Sequence, residues 1–264
     1  MDVIDLTDEY VKPFCVCLED WSDEMREAGD LKQRWCEKMR QKGLRVKLAR
    51  DDNGVVGGMI QYAPVEHSLV VGRGLYFIYC VWVHGHKSGR GDFQKRGMGK
   101  ALLQAAEDDA RQLGAKGMAA WGLLLPFWMK ASWFKRQGYV HADRDGLREL
   151  VYKPFCDEAR PPSWIKRDFR PPKVPGKVAV TAFVNGWCPV ANLVYERAKR
   201  AAAEHGDQVE LTTIDTTDRF ALRSWGISDG VFVDGRSVQW GPPVPYEKIR
   251  RMLAKKVRKL PRRA

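Results

Sequence analysis

The stretch Leu75-Tyr76-Phe77-Ile78-Tyr79-Cys80-Val81-Trp82-Val83 does most to restrict how this chain can fold. It has no polar alternation, and a strand of that kind belongs inside a sheet, covered on both faces. A loop then leads to Phe93-Gln94-Lys95-Arg96-Gly97-Met98-Gly99-Lys100, a tight turn punctuated by glycines, and Ala101-Leu102-Leu103 continues as a helix. A helix start carries unpaired backbone N–H groups and a partial positive charge, and glycines let a polyanion approach the backbone. Strand, basic turn and helix together predict an α/β domain with a site for a phosphate-bearing ligand.

The flanking sequence supplies the rest of such a domain. Val3 to Leu6 reads as a first strand, and Thr7 or Asp8 can cap a helix that places Tyr10, Val11, Phe14 and Leu18 on one face. A second helix is expected from Asp23 to Gln41, stopped by Gly43. Residues 44–50 alternate with period two, Asp51 to Gly54 is a hairpin turn, and Val55 to Tyr62 returns, with Gly57-Gly58 marking a bulge or a close backbone approach. The helix from Gly97 to Leu113 should bury Leu102, Ala106, Ala110 and Leu113 and expose Glu107, Asp108 and Arg111. A strand over Gly117 to Gly122 precedes Pro126 and a helix through Trp128, Ala131, Trp133 and Phe134; strands at Gly138 to Val140 and Leu150 to Tyr152 close the unit.

Gln94-Lys95-Arg96-Gly97-Met98-Gly99 resembles the Gln/Arg-x-x-Gly-x-Gly/Ala motif of the GCN5-related N-acetyltransferase (GNAT) superfamily. The apolar strand, the helix, the small-residue strand and the segment Ala131 to Tyr139 stand in the order that superfamily shows. For residues 1–156 the resemblance implies a mixed-sheet acyl-CoA N-acyltransferase domain that uses acetyl-CoA as co-substrate. Backbone amides of residues 96 to 100 would hold the pyrophosphate, and Cys80, Val81, Trp82 and Val83 would pair with the pantetheine arm. Gln94, Lys95, Arg96, Gly97, Met98, Gly99, Lys100 and Phe134 complete the expected cofactor site. The acceptor would be an amine of a small molecule or peptide. The superfamily often has a tyrosine that protonates the leaving thiolate, but the corresponding position here is Phe134, which has no proton to give: either another acid serves, or the thiolate leaves unassisted, or the domain binds acyl-CoA with weak or no catalysis. His84 and His86, just beyond the strand end, are candidates for the general base, the alternative being two exposed loop histidines. Cys80 reads as a buried strand residue, the alternative being an acyl-acceptor thiol.

Five of the fourteen prolines lie within residues 157–176, so this segment reads as an extended linker, with Trp164 and Phe169 packing on a domain surface. From Lys177 the pattern restarts as βαβαββα over residues 177–264, a small α/β domain ending in a helix from Pro245 to Lys259. Trp187-Cys188-Pro189 resembles the active-site turn of the thioredoxin-like fold, and the two-domain combination looks like the YoaP-type bacterial proteins. A cysteine at a helix start can have a depressed pKa, which makes Cys188 a candidate nucleophile, though a packed structural cysteine is the other reading. Ala191 stands where a dithiol enzyme has its second cysteine, and no proline precedes Val231, so any redox chemistry would be monothiol.

Bulk properties narrow the remaining classes. The net charge is +12, but residues 247–264 hold nine basic residues and one acid, two thirds of the excess. The rest is mildly basic, so the charge does not argue for a nucleic-acid groove through the whole protein; the basic end reads as a solvated helix face and tail, the minority reading being a contact with RNA or an acidic partner. The six cysteines fit neither a disulfide framework nor a zinc site. No apolar run reaches membrane-spanning length and no secretory signal is visible; a cytoplasmic protein is expected.

Overall fold

The computed structural model describes residues 1–125, 128–166, 170–238 and 241–261. Pro126, Phe169, Trp240 and the tail residues Arg262 and Arg263 lie outside the described residues. The chain divides into two compact units, Met1–Trp21 with Cys36–Lys166, and Ser22–Trp35 with Arg167–Ala264.

The first unit is built on a seven-stranded sheet in the order β1-β2-β3-β5-β6-β8-β7. These strands are β1 (Asp2–Asp5), β2 (Arg45–Arg50), β3 (Val56–Pro64), β5 (Leu75–Val83), β6 (Gly117–Leu123), β7 (Val140–Asp145) and β8 (Arg148–Pro154). All neighbours run antiparallel except β5 and β6. The apolar strand β5 is thus central, as its composition predicts. Its parallel register with β6 covers only Leu75↔Gly117 to Ile78↔Ala120. Beyond that point β5 stays paired with β3 as far as Val83↔Gly58, and β6 stays paired with β8 as far as Leu123↔Arg148. The two central strands therefore part, and among the described residues no strand pairs with the half of β5 from Tyr79 to Val83 on that side.

Helices α1 (Asp8–Cys15), α4 (Met98–Gln112) and α5 (Ala131–Lys135) accompany this sheet. Leu102, Ala106 and Ala110 of α4 are fully buried, as their spacing requires. Two expectations for this helix fail. Leu113 is half exposed because it is the C-cap, where the chain turns off at Gly114. Glu107 is buried because the Lys153 ammonium meets it at 2.7 Å. Gly57 accounts for the predicted close approach: a Cβ there would lie 2.4 Å from the Phe93 ring.

The expected helix from Asp23 to Gln41 is broken into α2 (Asp23–Arg26) and α3 (Leu31–Arg40), with Gly29 between them at φ +65°. α2 and the first half of α3 group with the second unit, not with the domain over residues 1–156 that the sequence predicts. The proline-rich segment also differs from a plain connector. Its β9 (Ser163–Trp164) pairs with β4 (Val70–Val71), and Trp164 is buried under the Arg148 guanidinium at 4.7 Å. The unit boundary therefore falls at Lys166.

The second unit has a four-stranded sheet, β11-β10-β12-β13, from β10 (Val178–Val184), β11 (Val209–Asp215), β12 (Gly230–Val233) and β13 (Arg236–Ser237). β10 is parallel to β11 and antiparallel to β12. Helix α6 (Pro189–Ala203) connects β10 to β11, α7 (Arg219–Trp225) connects β11 to β12, and α8 (Tyr246–Val257) ends the unit. Its core joins Val178, Val180 and Ala182 to Val194, Ala198 and Ala201 of α6 and Ile249 and Leu253 of α8. Each of the two fully buried α8 residues contributes about 1.5–3 kcal/mol. Arg197 of α6 is itself buried and bonds Glu24, Glu27 and the Val244 carbonyl, which ties Ser22–Trp35 to this unit.

Candidate functional site

The parting of β5 from β6 opens a cleft of about 610 Å³. Its walls are the free half of β5 (Val81, Trp82, Val83), the turn and first residues of α4 (Phe93 to Lys95 and Gly97 to Lys100), and the segment Trp128 to Lys130 with Trp133, Phe134 and Arg136. Most of the cofactor-site residues expected from the sequence lie together here. Val81, Trp82, Val83, Gln94, Lys95, Gly97, Met98, Gly99, Lys100 and Phe134 all line one cavity. Cys80 and Arg96 do not. Cys80 is buried in the sheet opposite Gln61, and the Arg96 guanidinium lies over the Phe93 ring at 5.5 Å.

Local geometry at the turn follows from its residues. Gly97 is the N-cap of α4 at φ +88°, a conformation that side chains other than glycine resist. It offers no side-chain cap, and the first helical bond runs from Ala101 N–H to the Gly97 carbonyl at 3.0 Å. The N–H groups of Met98, Gly99 and Lys100 are left pointing out of the helix start, where the macrodipole favours an anion. No acid occupies the first turn of α4. Among the described residues the cleft is lined by four cations, Lys95, Lys100, Lys130 and Arg136, and by no carboxylate. The Val81 N–H, on the side of β5 that β6 has left, makes only a soft contact with Met129 Sδ at 3.4 Å.

The two histidines are placed otherwise than expected. Neither lines the cleft. His84 is fully buried, with Nε2 accepting from Trp21 Nε1–H at 2.9 Å and Nδ1–H donating to the Gly91 carbonyl at 2.7 Å. Both ring nitrogens are engaged and the tautomer is fixed, so His84 is neither an exposed loop residue nor a free base. It braces the loop instead: its backbone N–H reaches Gly57 and its carbonyl accepts from Phe93 N–H. His86 is half exposed, 3.7 Å from Glu19, with its ring edge-on to Trp21 and His84.

Phe134 is buried, lines the cleft, and packs edge-on against Trp133 and Tyr139. The Tyr139 hydroxyl is deeply buried, and burial drives its pKa well above the usual phenol value. Among the described residues no tyrosine, histidine, cysteine or carboxylate lines the cavity.

In the second unit, Cys188 is the partly exposed N-cap of α6. The turn before it is held from across the sheet end by Asp229. This carboxylate accepts from Asn185 N–H at 3.3 Å and Trp187 Nε1–H at 2.8 Å. Burial pushes the Asp229 pKa up to about 6, and those hydrogen bonds oppose the shift. Asn192 Nδ2 secures the Gly186 carbonyl at 2.9 Å.

Sequence reasoning missed Lys130, Arg136 and the Trp128, Met129 and Trp133 wall. Only Trp133 and Arg136 sat inside a segment with a recognisable signature.

Residues 4–124 match the model of the acetyltransferase (GNAT) family. That stretch is similar to GNAT acetyltransferase domains. Several solved structures are similar. The PaiA N-acetyltransferase of Thermoplasma acidophilum, in complex with coenzyme A, is 16% identical at a TM-score of 0.43, covering 59% of this chain and 100% of that one. The GNAT family N-acetyltransferase YhbS of Escherichia coli, in complex with CoA, is 15% identical at a TM-score of 0.42, over 60% of this chain and 82% of that one. A GNAT family acetyltransferase of Brucella melitensis, in complex with acetyl-CoA, is 17% identical at 0.39, over 60% and 90%. No curated protein matches the chain. Among the described residues no helix is long and apolar enough to cross a membrane, and no cluster of metal-ligating side chains occurs.

Proposed function

We propose that the first unit transfers an acetyl group from acetyl-CoA to an amine of a small molecule or peptide. The observation that carries this reading is the cleft: a free strand edge leading to an open helix start, with four cations and no acid among its described residues. A long, flexible thiol arm ending in phosphates matches that shape and charge. The N–H groups of residues 98 to 100 would hold the pyrophosphate, with Lys95, Lys100, Lys130 and Arg136 as counter-charges. Val81 to Val83 would pair with the amide-bearing arm as an added strand does. The Val81 N–H, released from Met129 Sδ, would donate to the thioester carbonyl.

Acetyl-CoA supplies an activated acyl group with a good leaving thiolate. The chain's own contribution is to bind, orient and exclude water. Phe134 and the tryptophans make that end of the cleft apolar. With no neutral acid or base among the described lining residues, the proton lost by the attacking nitrogen and the proton gained by the thiolate pass through water.

For the second unit we infer a thioredoxin-like domain, on its central β10 flanked by parallel β11 and antiparallel β12 and on the Trp187-Cys188-Pro189 turn at the start of α6. Cys188 is its candidate monothiol.

Calorimetry with acetyl-CoA tests the main reading. The full-length protein should bind, and Gly99→Glu should not, because its carboxylate would stand among the open N–H groups. A Cβ at Gly99 meets Trp133 at an ordinary 3.5 Å, so the variant should fold. Undiminished affinity in Gly99→Glu would overturn the assignment. Thiol release with a panel of amines then tests transfer itself.

A further inference from the structure

Outside the cleft, the most one-sided charge of the molecule lies on α8. Lys248, Arg251, Lys255, Arg258 and Lys259 are all exposed, and the last turn continues through Lys259, whose N–H bonds the Lys256 carbonyl. At 3.6 residues per turn these five fall within an arc of about 100°, so they form one stripe about 16 Å long. Ile249 and Leu253 on the opposite side are fully buried in the core of the second unit, so the stripe faces outward.

The cations of this helix are sorted. Arg250 pairs with Glu204 and Glu247, and Lys256 pairs with Asp234. Among the described residues no carboxylate bonds to any of the five in the stripe. Arg251 and Arg258 donate only to the Glu247 and Ala254 carbonyls of their own helix. An ordinary solvated face intersperses charges of both signs; this one leaves five like charges next to one another, at a cost in mutual repulsion.

We propose that this stripe docks the phosphate backbone of duplex nucleic acid, without regard to base sequence. Recurring negative charge along a rigid rod complements a stripe of cations spaced on average about 4 Å apart along a helix axis. A single strand is a poorer match, because such binders stack bases on aromatic side chains and this face has none among the described residues. A membrane surface is a poorer match too. An interfacial helix inserts its apolar side into lipid, and here that side is already used by the core.

Fluorescence anisotropy of the full-length protein with labelled RNA and DNA duplexes tests the proposal, with phosphatidylserine vesicles as a parallel arm. Neutralising five phosphates predicts a slope of log K against log salt of about −4.5, or roughly 500-fold weaker binding at 200 mM than at 50 mM salt. The variant K248A/R251A/K255A/R258A/K259A should lose at least tenfold in affinity and flatten that slope. Its far-UV circular dichroism should be unchanged, since all five side chains are exposed. The control K12A/K87A, exposed lysines of the first unit, should bind as the parent does. Similar affinity for RNA and DNA supports backbone recognition. No duplex binding at 50 mM salt, a parental slope shallower than about −2, equal binding by the five-fold variant, or preference for vesicles would each overturn it.

Discussion

Gly57→Ala is the smallest change that should reach the cleft without touching it. Gly57 sits in β3, and a Cβ there would lie 2.4, 2.5 and 2.8 Å from three atoms of the Phe93 ring. Three contacts under 3 Å on a rigid ring leave no rotamer adjustment small enough to relieve them. Phe93 is 4% exposed, is tied by its N–H to the His84 carbonyl at 2.9 Å, and opens the turn that runs to Gly97. Forced overpacking of this kind costs about 1–3 kcal/mol. For a unit of this size that corresponds to a fall in Tm of about 3–10 °C. Because Phe93, Gln94 and Lys95 line the cleft together, acetyl-CoA affinity should fall about tenfold, or ~1.4 kcal/mol. Differential scanning calorimetry and isothermal titration measure the two effects. The double variant Gly57→Ala/Phe93→Leu should recover part of the lost Tm, with a coupling of at least about 1 kcal/mol between the positions. A single variant with parental Tm and affinity, or strictly additive effects in the double, would refute the argument.

Three further outcomes follow from the geometry. Gly97→Ala meets no atom within 4 Å but must adopt φ +88°, so it should cost about 1–2 kcal/mol by chemical denaturation, and a parental midpoint would show the turn is not strained. Asp229 has a folded pKa raised to about 6 by burial, so between pH 4 and 6 the folded state holds more protons than the unfolded one. Stability of the second unit should therefore decline across that window as pH rises, by about 1–3 kcal/mol, and level off above it. Asp229→Asn should abolish the slope, and the Trp187 indole proton resonance should titrate with a midpoint near 6 in the parent; a flat resonance would contradict the pairing. Arg197→Ala removes charged hydrogen bonds to Glu24 and Glu27, and should cost about 1.5–3 kcal/mol and expose residues 27–30 to proteolysis; unchanged cleavage would argue against that anchor.

Much of the first unit was legible because its signals are local. Nine apolar residues announce a central strand, and Gly97 at a helix start announces an open turn, whatever the remainder of the chain does. What the sequence hides depends on partners distant along the chain. Glu107 looks like a surface residue until Lys153 is seen beside it. His84 looks like a loop base until Trp21 and Gly91 are found on its two nitrogens. Lys130 carries no signature of its own, since its place in the cleft depends on where β5 and β6 separate. Helix periodicity from Asp23 to Gln41 likewise gave no warning of Gly29 in the left-handed region, because a glycine within a helical pattern is often tolerated.

The grouping of Ser22–Trp35 with Arg167–Ala264 has a consequence for how the molecule is made. Met25, Ala28 and Trp35 reach the ribosome exit long before Arg197 exists, yet all three are buried in the finished protein. During synthesis these fourteen residues wait as an uncovered loop while the strands around them pair. The second unit is completed only by reaching back to the beginning of the chain. A fragment ending at Lys166 would carry that loop permanently uncovered, and a fragment beginning at Arg167 would lack the carboxylates that Arg197 needs. Dividing the gene at the apparent linker would thus produce two incomplete pieces, and mixing them would restore the second unit only as a noncovalent complex.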